Sequence, residues 1–324
     1  MTSGAPLSRL DLNLLVALDA LLSERSVSRA ANRLHLSQPT LSASLARLRT
    51  HFSDELLTRR GNSYELTPLA ARLAEHAPTA LEGARRIFEI EPDWDPSHST
   101  REFSIYMSDY GMATLAPIVA RISHGVAPNI RFRFMLHNPA IVDDAAERLR
   151  TVDGIVLPHG FVTDLPHTDL WRDGWVVVAS ADNPAARAGL SFEDLTRAKW
   201  AFTYQSRTAF TSASRQLEQL GLNPRVEVVV ESFLAVSQFV IGTDRLAMVQ
   251  RGVARLIEQF EGVVLLEPPF EATPLSNALW WHPAYRNDPA HAWMRGVFVQ
   301  AGELLTHEMA GWTSDSAAFR LSAD

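Results

Sequence analysis

A chain of 324 residues is long enough for two or three packed units, and 46% hydrophobic residues at a mean hydropathy of −0.05 describe a globular chain, not a disordered one. No run of about eighteen apolar residues occurs, which excludes a membrane-spanning helix; the first residues lack the basic start and apolar centre of a secretion signal, and the absence of cysteine excludes disulfides and thiolate catalysis, so a cytoplasmic location is expected. The net charge of −7 is divided: residues 1–66 carry eight arginines against six acids, a balance of +2 that leaves −9 on the remainder, so phosphate attraction is confined to one end.

In that basic end, Leu14, Leu15, Leu18, Leu21 and Leu22 predict a first helix over 10–22 with one apolar stripe. Ser26 or Ser28 offers a cap for a second helix. Its Ala30, Ala31 and Leu34 face inward, the alanines being small enough for a third helix to cross closely. Leu36 is expected to fill the turn and Ser37 to cap the third helix, with Pro39 in its first turn, where a missing N–H has no intrahelical partner. Leu41, Leu45 and Leu48 then point inward. Gln38, Pro39, Thr40, Ser42, Ala43 and, farther along, Arg47 point outward, as in a helix-turn-helix that enters the DNA major groove. Glutamine can contact adenine twice, and threonine or proline can pack on a thymine methyl. Arg47 and Arg49 are expected at phosphates. Taken alone, such a helix pair reads as a solvated face.

The next stretch changes that. Two short extended runs, Leu56 to Arg60 and Ser63 to Leu66, flank Gly61-Asn62, a hairpin signal. Arg59 and Arg60 on its approach suit a basic wing that grips the sugar-phosphate backbone or enters the minor groove. The series Asp11-Leu-Asn-Leu-Leu15, Ala30-Ala31, Ser37-Gln38-Pro39, Leu45, Arg59 and Leu66-Thr67-Pro68 resembles the LysR-type transcriptional regulators. Phe52-Ser-Asp-Glu-Leu56, together with Arg49 where many members carry glutamate, is similar to their nodulation and aromatic-degradation subgroup. That arginine is expected to alter local helix pairing.

Residues 68–90 read as one long helix with Leu69, Leu73, Ala77, Leu81, Ala84 and Ile87 or Phe88 on one side and a kink at Pro78. Such a stripe needs a partner, either the chain's own body or a second chain. The resemblance implies an antiparallel pairing between subunits, a homodimer or a dimer-of-dimers tetramer whose two heads read an imperfect inverted repeat. Residues 91–100 are polar and proline-broken, a hinge.

From 101 onward short apolar runs alternate with helices, as in α/β domains. Strands are expected over Phe103–Met107, Ile130–Leu136, Gly154–Pro158, Trp175–Ala179, Trp200–Tyr204, Val226–Val230, Leu246–Val249 and Ala278–Pro283, with a helix around Trp293–Leu305. The resemblance implies a two-lobed effector domain related to periplasmic binding proteins (type 2): 101–170 and 273–315 as one lobe, 171–272 as the other. The chain would cross near Pro166–Arg172 and return near Pro268–Pro274. Segments starting at Ser232, Ile241 and Trp281 resemble the same subgroup. The whole is then an α/β protein with an N-terminal winged helix-turn-helix (1–67), a linker helix (68–90) and this effector domain.

A cleft between lobes exposes strand ends and helix N-termini, which attract carboxylates and phenolates. Ser108, Asp109, His137, His159, Thr203, Tyr204, Ser232 and Phe233 occupy such ends. The resemblance implies that they contact a small aromatic effector, the polar groups orienting the ring and Tyr204 and Phe233 stacking on it. Each also suits capping or core packing.

No nucleophile elbow, phosphate-cradling loop or dinucleotide fingerprint occurs, and the eleven histidines lack metalloprotease spacing. Convergence of His137, His159 and His282 on a metal is disfavoured, His282 reads as structural, and Asp143-Asp144 reads as a helix cap. Catalysis, cofactor and resident metal are therefore not expected. The expected partners are promoter DNA, RNA polymerase and the effector, with no membrane. The competing readings are a solute-binding or enzymatic α/β body with an incidental helical head, and a regulator that binds DNA without any ligand.

Overall fold

The computed structural model describes residues 11–60, 63–88, 94–184, 189–204 and 211–319. It separates into two units, Met1–Pro92 and Asp93–Asp324, each with its own core.

In the head, α1 (Leu12–Glu24) is capped by Asp11, whose carboxylate accepts from Asn13 N at 3.0 Å. Helix α2 (Val27–Arg33) uses Ser26, not Ser28, as its cap, and α3 (Gln38–Phe52) uses Ser37. The turn between α2 and α3 closes through Leu36 N to Ala31 O (2.9 Å) and His35 N to Asn32 O (3.1 Å), with His35 left-handed at φ 54°. This paired bond ends a helix where glycine usually sits, and histidine takes the position here. Backbone bonds hold the turn, so it needs no apolar filler: Leu36, expected inside, is 44% exposed. Ala30, Ala31, Leu41, Leu45 and Leu48 are buried together with Leu18 and Leu21 of α1. Strands β1 (Leu57–Arg60) and β2 (Ser63–Leu66) form the antiparallel wing; the Gly61-Asn62 turn lies outside the described residues.

Helix α4 (Pro68–Phe88) continues through Pro78, which removes one hydrogen bond without ending it. Its first half lays Ala70, Leu73, Ala74 and Ala77 on the head's own core beside α1. The stripe that was expected to need a partner thus begins on the chain's own head. The expected hinge also shortens: Trp94 already packs on Trp293 of the body at 5.6 Å between rings, and Asp95 closes a turn with Ser97 N at 2.9 Å.

The body holds two five-stranded sheets. In the first, β3 (Glu102–Met107) runs parallel to β4 (Arg131–Leu136) and β5 (Gly154–Pro158), and β12 (Leu275–Trp280) lies antiparallel between β5 and β6 (His167–Asp173). In the second, the order is β11 (Val263–Leu266), β7 (Trp175–Ser180), β10 (Arg245–Gln250), β8 (Lys199–Thr203) and β9 (Arg225–Val230). Strand β6 remains paired with the first sheet as far as Asp173, which lies opposite Leu275. The passage to the second sheet therefore falls at Gly174, later than the expected break after Leu170, because Trp171 and Arg172 still have ladder partners on β12.

Helices α5 (Asp109–Val126), α10 (Arg251–Ile257) and α11 (Pro289–Phe319) share one core with both sheets, drawing on Phe103, Ile105, Leu115, Val176, Val178, Val253, Met294 and Phe298. Complete burial of each such side chain contributes about 1.5–3 kcal/mol. Helix α11 approaches β6 so closely that a Cβ at Gly302 would sit 2.4 Å from Leu170 O, which reserves that position for glycine. Helices α6 (Pro139–Asp143) and α7 (Ala145–Arg148) follow β4. Asn138 caps α6, whereas Asp144 makes no capping bond for α7, contrary to expectation, and lies 3.8 Å from Arg148. Helices α8 (Phe192–Arg197) and α9 (Ser212–Gln219) belong to the second lobe.

Candidate functional site

In α3, Gln38, Pro39, Thr40, Ser42, Ala43 and Arg47 are exposed on the side opposite Leu41, Leu45 and Leu48. Ser37 serves the helix itself: its Oγ accepts from Thr40 N at 3.3 Å and lies 2.7 Å from Thr40 Oγ1. Arg47 stands 3.1 Å from the carboxylate of Asp11. The Asn13 N–H, with Arg47 second, holds that carboxyl below its usual range. An exposed pair of this kind is worth little, so a phosphate can displace Asp11.

Arg49 is not a phosphate reader in this geometry. Its Nε donates to Glu55 O at 2.9 Å and its NH2 to Leu57 O at 3.2 Å, with the Glu55 carboxylate at 3.2 Å. The guanidinium fork braces α3 against the loop that leads into the wing, so the expected change in helix pairing is instead a helix-to-wing brace. On the wing, Arg59 lies opposite Tyr64, and Arg60 reaches Glu65 at 3.2 Å. Tyr64 is 40% exposed beside Arg59 and was not anticipated, since an aromatic at a strand position signals packing first.

Between the two sheets of the body lies a cavity of about 400 Å³. Ser108, His137, His159, Tyr204 and Phe233 lie on its wall; Asp109, Thr203 and Ser232 do not. Ser108 caps α5 through Gly111 N at 3.2 Å. Asp109 and Ser232 are engaged with each other across the lobes at 2.6 Å, and Asp109 also accepts from Phe233 N and Leu234 N. Thr203 is buried beneath the surface of β8. Tyr204 holds a left-handed backbone at φ 59° and packs edge-on to Phe233 at 5.7 Å. Burial, then the charges of Asp109 and Glu231, push its phenol up to about 12. Burial also depresses His137 to about 4, which keeps it neutral. His282 caps a 3-10 turn through Ala284 N, and so is structural.

The cavity floor comes from the crossover. Trp171 and Trp175 flank Asp173 and Gly174, and Gln250 and Asn277 sit opposite them in the ladders. Trp171 Nε1 donates to Tyr110 Oη at 3.2 Å, and that hydroxyl donates to Asp173, which also accepts from Gly252 N at 3.2 Å. Burial raises the Asp173 carboxyl to about 6. Among the described residues, five buried polar atoms of cavity-lining side chains have no hydrogen-bond partner: His137 Nδ1, Trp175 Nε1, Ser212 Oγ, Gln250 Oε1 and Asn277 Nδ2. Each unpaired buried atom costs about 1–3 kcal/mol, and all five belong to residues that line this one cavity. Among the described residues no carboxylate lines the cavity, whereas Arg215 does. Sequence reasoning missed these floor residues. Their signal was a polar residue at the end of an apolar run, as with Gln250 after Leu246–Val249 and Asn277 before Ala278–Trp280.

A capped recognition helix with a wing, followed by a two-sheet domain around a ligand-sized cleft, defines a DNA-binding regulator with a small-molecule sensor. Residues 12–71 match the bacterial regulatory helix-turn-helix proteins of the lysR family, and residues 97–303 match the LysR substrate binding domain. The chain belongs to the LysR family of transcriptional regulators. It is 34% identical over 319 residues to Nodulation protein D 2 of Rhizobium tropici, covering 97% of this chain and 98% of that protein. It is 35% identical over 298 residues to Nodulation protein D 3 of Rhizobium leguminosarum bv. phaseoli, covering 90% and 96%. The solved structure of a probable transcriptional regulator, PA0477 from Pseudomonas aeruginosa, aligns at a TM-score of 0.69 with 29% identity, over 90% of this chain and 97% of that one. Full-length CbnR in complex with its target DNA shares the fold at a TM-score of 0.64 with 15% identity, over 90% and 100%. Among the described residues no helix is long and apolar enough to cross a membrane.

Proposed function

We propose that this regulator binds an operator in promoter DNA as a homo-oligomer in the cytoplasm and takes a small aromatic effector, bearing phenolic, carbonyl or carboxylate oxygens, into the cleft of its body. Gln38, Pro39, Thr40, Ser42 and Ala43 read base edges, Ser37 holds the first turn of that helix, and Arg47, Arg59 and Arg60 meet the backbone. The paired heads of a dimer, or of a dimer of dimers, address two half-sites, and contact with RNA polymerase belongs to the same reading.

The observation that carries the effector assignment is the set of unpaired polar atoms on aromatic walls. Trp175 Nε1 and Asn277 Nδ2 are donors, Gln250 Oε1 is an acceptor, and Ser212 Oγ serves as either. An oxygenated ring meets both kinds, stacks among Trp171, Tyr204 and Phe233, and finds Arg215 on the same wall. His137 and Asn277 come from the first lobe, Trp175, Ser212 and Gln250 from the second. A ligand that satisfies both sides favours one relative setting of the lobes, which shifts how the heads fit or bend the promoter.

Two measurements test this. Gel shifts of the full chain at moderate ionic strength should show preference for its own upstream region over random duplex; equal binding to both overturns the operator assignment. Thermal shift against hydroxybenzoates, phenols and flavonoids should give a stabiliser whose effect falls in Asn277→Ala and Gln250→Ala. A flat response across the panel overturns the aromatic effector.

A further inference from the structure

We propose that His159, His167 and Asp169 form a binding site for a divalent first-row transition metal ion, such as Zn²⁺, on the edge of the first sheet beside the cleft. Among the described residues this is the group of histidine and carboxylate side chains whose ligand atoms all fall within 4.8 Å of one another, and all three side chains are exposed. The backbone brings them together. His167 and Asp169 are two residues apart on edge strand β6, so they share a face. His159 follows β5 directly and is held by its N–H to Ser276 O at 3.0 Å on the intervening strand β12. Between them on β12 stands Ala278, opposite both Leu157 and Asp169, too small to separate the groups.

Three features preset the arrangement. His159 Nε2 already lies 2.6 Å from Asp169 Oδ1. The two imidazoles meet edge-on at 4.8 Å, and both rest on Trp280, at 5.3 Å from His159 and 4.6 Å from His167. Trp280 is itself fixed by its Nε1 bond to Leu157 O at 3.1 Å. The register of β6 against β12 also shifts between Asn277 and Ala278, a bulge next to Asp169 at the point where α11 presses on Leu170. Bulges re-aim side chains at such places.

Two imidazoles and one carboxylate form a donor set for zinc and its first-row neighbours, leaving open positions for water. Bonds of about 2.0–2.2 Å in a tetrahedron set donors roughly 3.3 Å apart, so exposed side chains need shift by only about 1.5 Å to close on an ion. His159 also lines the cleft, which places an occupied site where it touches the effector chamber.

The test uses the full-length chain without a histidine tag. Calorimetric titration with Zn²⁺, and with Co²⁺ read by its visible absorption, should show one saturable ion per chain and a Co²⁺ spectrum with imidazole ligands. His167→Ala and Asp169→Ala should each weaken binding at least tenfold, with unchanged circular dichroism, while His98→Ala, at an exposed histidine that pairs with Asp95, should leave it unaltered. Absence of saturable binding, affinity in the two β6 variants unchanged from the parent, or an equal loss in His98→Ala overturns the site.

Discussion

Asp109 and Ser232 join the two lobes: the Ser232 hydroxyl donates to the Asp109 carboxylate at 2.6 Å, and the same carboxylate accepts from the N–H groups of Phe233 and Leu234. One side chain at the first turn of α5 thus satisfies three donors of the other lobe. Asp109→Ala strands them, at a cost of about 1–3 kcal/mol. The body's Tm should fall by several degrees, and Asp109→Asn, which keeps an acceptor, should lie between variant and parent. An unchanged Tm in the alanine variant contradicts the tie.

The recognition helix and the wing should separate in salt titrations. Thr40→Ala and Ser42→Ala should relax base preference while the salt dependence of binding stays as in the parent. Arg59→Ala and Arg60→Ala should weaken binding to every sequence and each reduce the salt slope by about 1. If both pairs behave alike, the division between base and backbone readers is wrong.

Arg49 should produce a third pattern. Arg49→Ala removes the fork that holds Glu55 O and Leu57 O, at a cost of about 1–2 kcal/mol in head stability. The wing then loses its setting, so affinity falls for all sequences with an unchanged salt slope. Arg49→Lys should restore little, since a point charge does not span two carbonyls. A reduced slope in Arg49→Ala instead marks a direct phosphate contact.

Two glycines of α11 should respond in opposite directions. A Cβ at Gly302 meets Leu170 backbone at 2.4 Å, whereas at Gly296 nothing lies within 4 Å. Gly302→Ala should cost about 1–3 kcal/mol through overpacking, and Gly296→Ala should add up to about 1 kcal/mol through helix propensity. Urea midpoints of the two variants on the same side of the parent contradict the packing of α11 on β6.

Stability should also fall in mild acid. His291 is fully buried, with Nε2 2.7 Å from Asp153 O and Nδ1 2.7 Å from Arg295 NH1, so the ring donates from one nitrogen and accepts at the other as a neutral tautomer. Burial first, then the neighbouring arginines, depresses it to about 3. A base held below its unfolded value contributes stability above pH about 6.5 and loses it as pH falls, because the unfolded chain takes the proton first. Between pH 6.5 and 5 this amounts to about 2 kcal/mol for one such site. His137 acts in the same sense; Asp173, raised to about 6, acts oppositely, its contribution being present in acid and lost as pH rises through that value. His291→Gln should flatten the pH dependence of the urea midpoint, and a slope equal to the parent's refutes this account.

The head was legible in sequence because its determinants are local. Ser26, Ser37 and Pro39 mark helix starts, and the leucines at i, i+4 and i+7 mark the buried side. Leu36 and Arg49 were misplaced because their roles depend on a left-handed step at His35 and on carbonyls of a neighbouring loop, neither of which leaves a spacing signal. In the body, strand ends were readable, and several of their residues line the cavity. The direction in which a side chain leaves a strand end was not, so Asp109 and Ser232 were placed in the cleft though they face each other. Trp175, Gln250 and Asn277 come from strands distant in sequence, and their unpaired atoms arise only when those strands meet.

Only Gly174 stands between β6 and β7, so Trp171 and Trp175 of the cavity floor are set by a crossing with no loop to lengthen it, and the size of ring that rests on both is fixed by the chain itself.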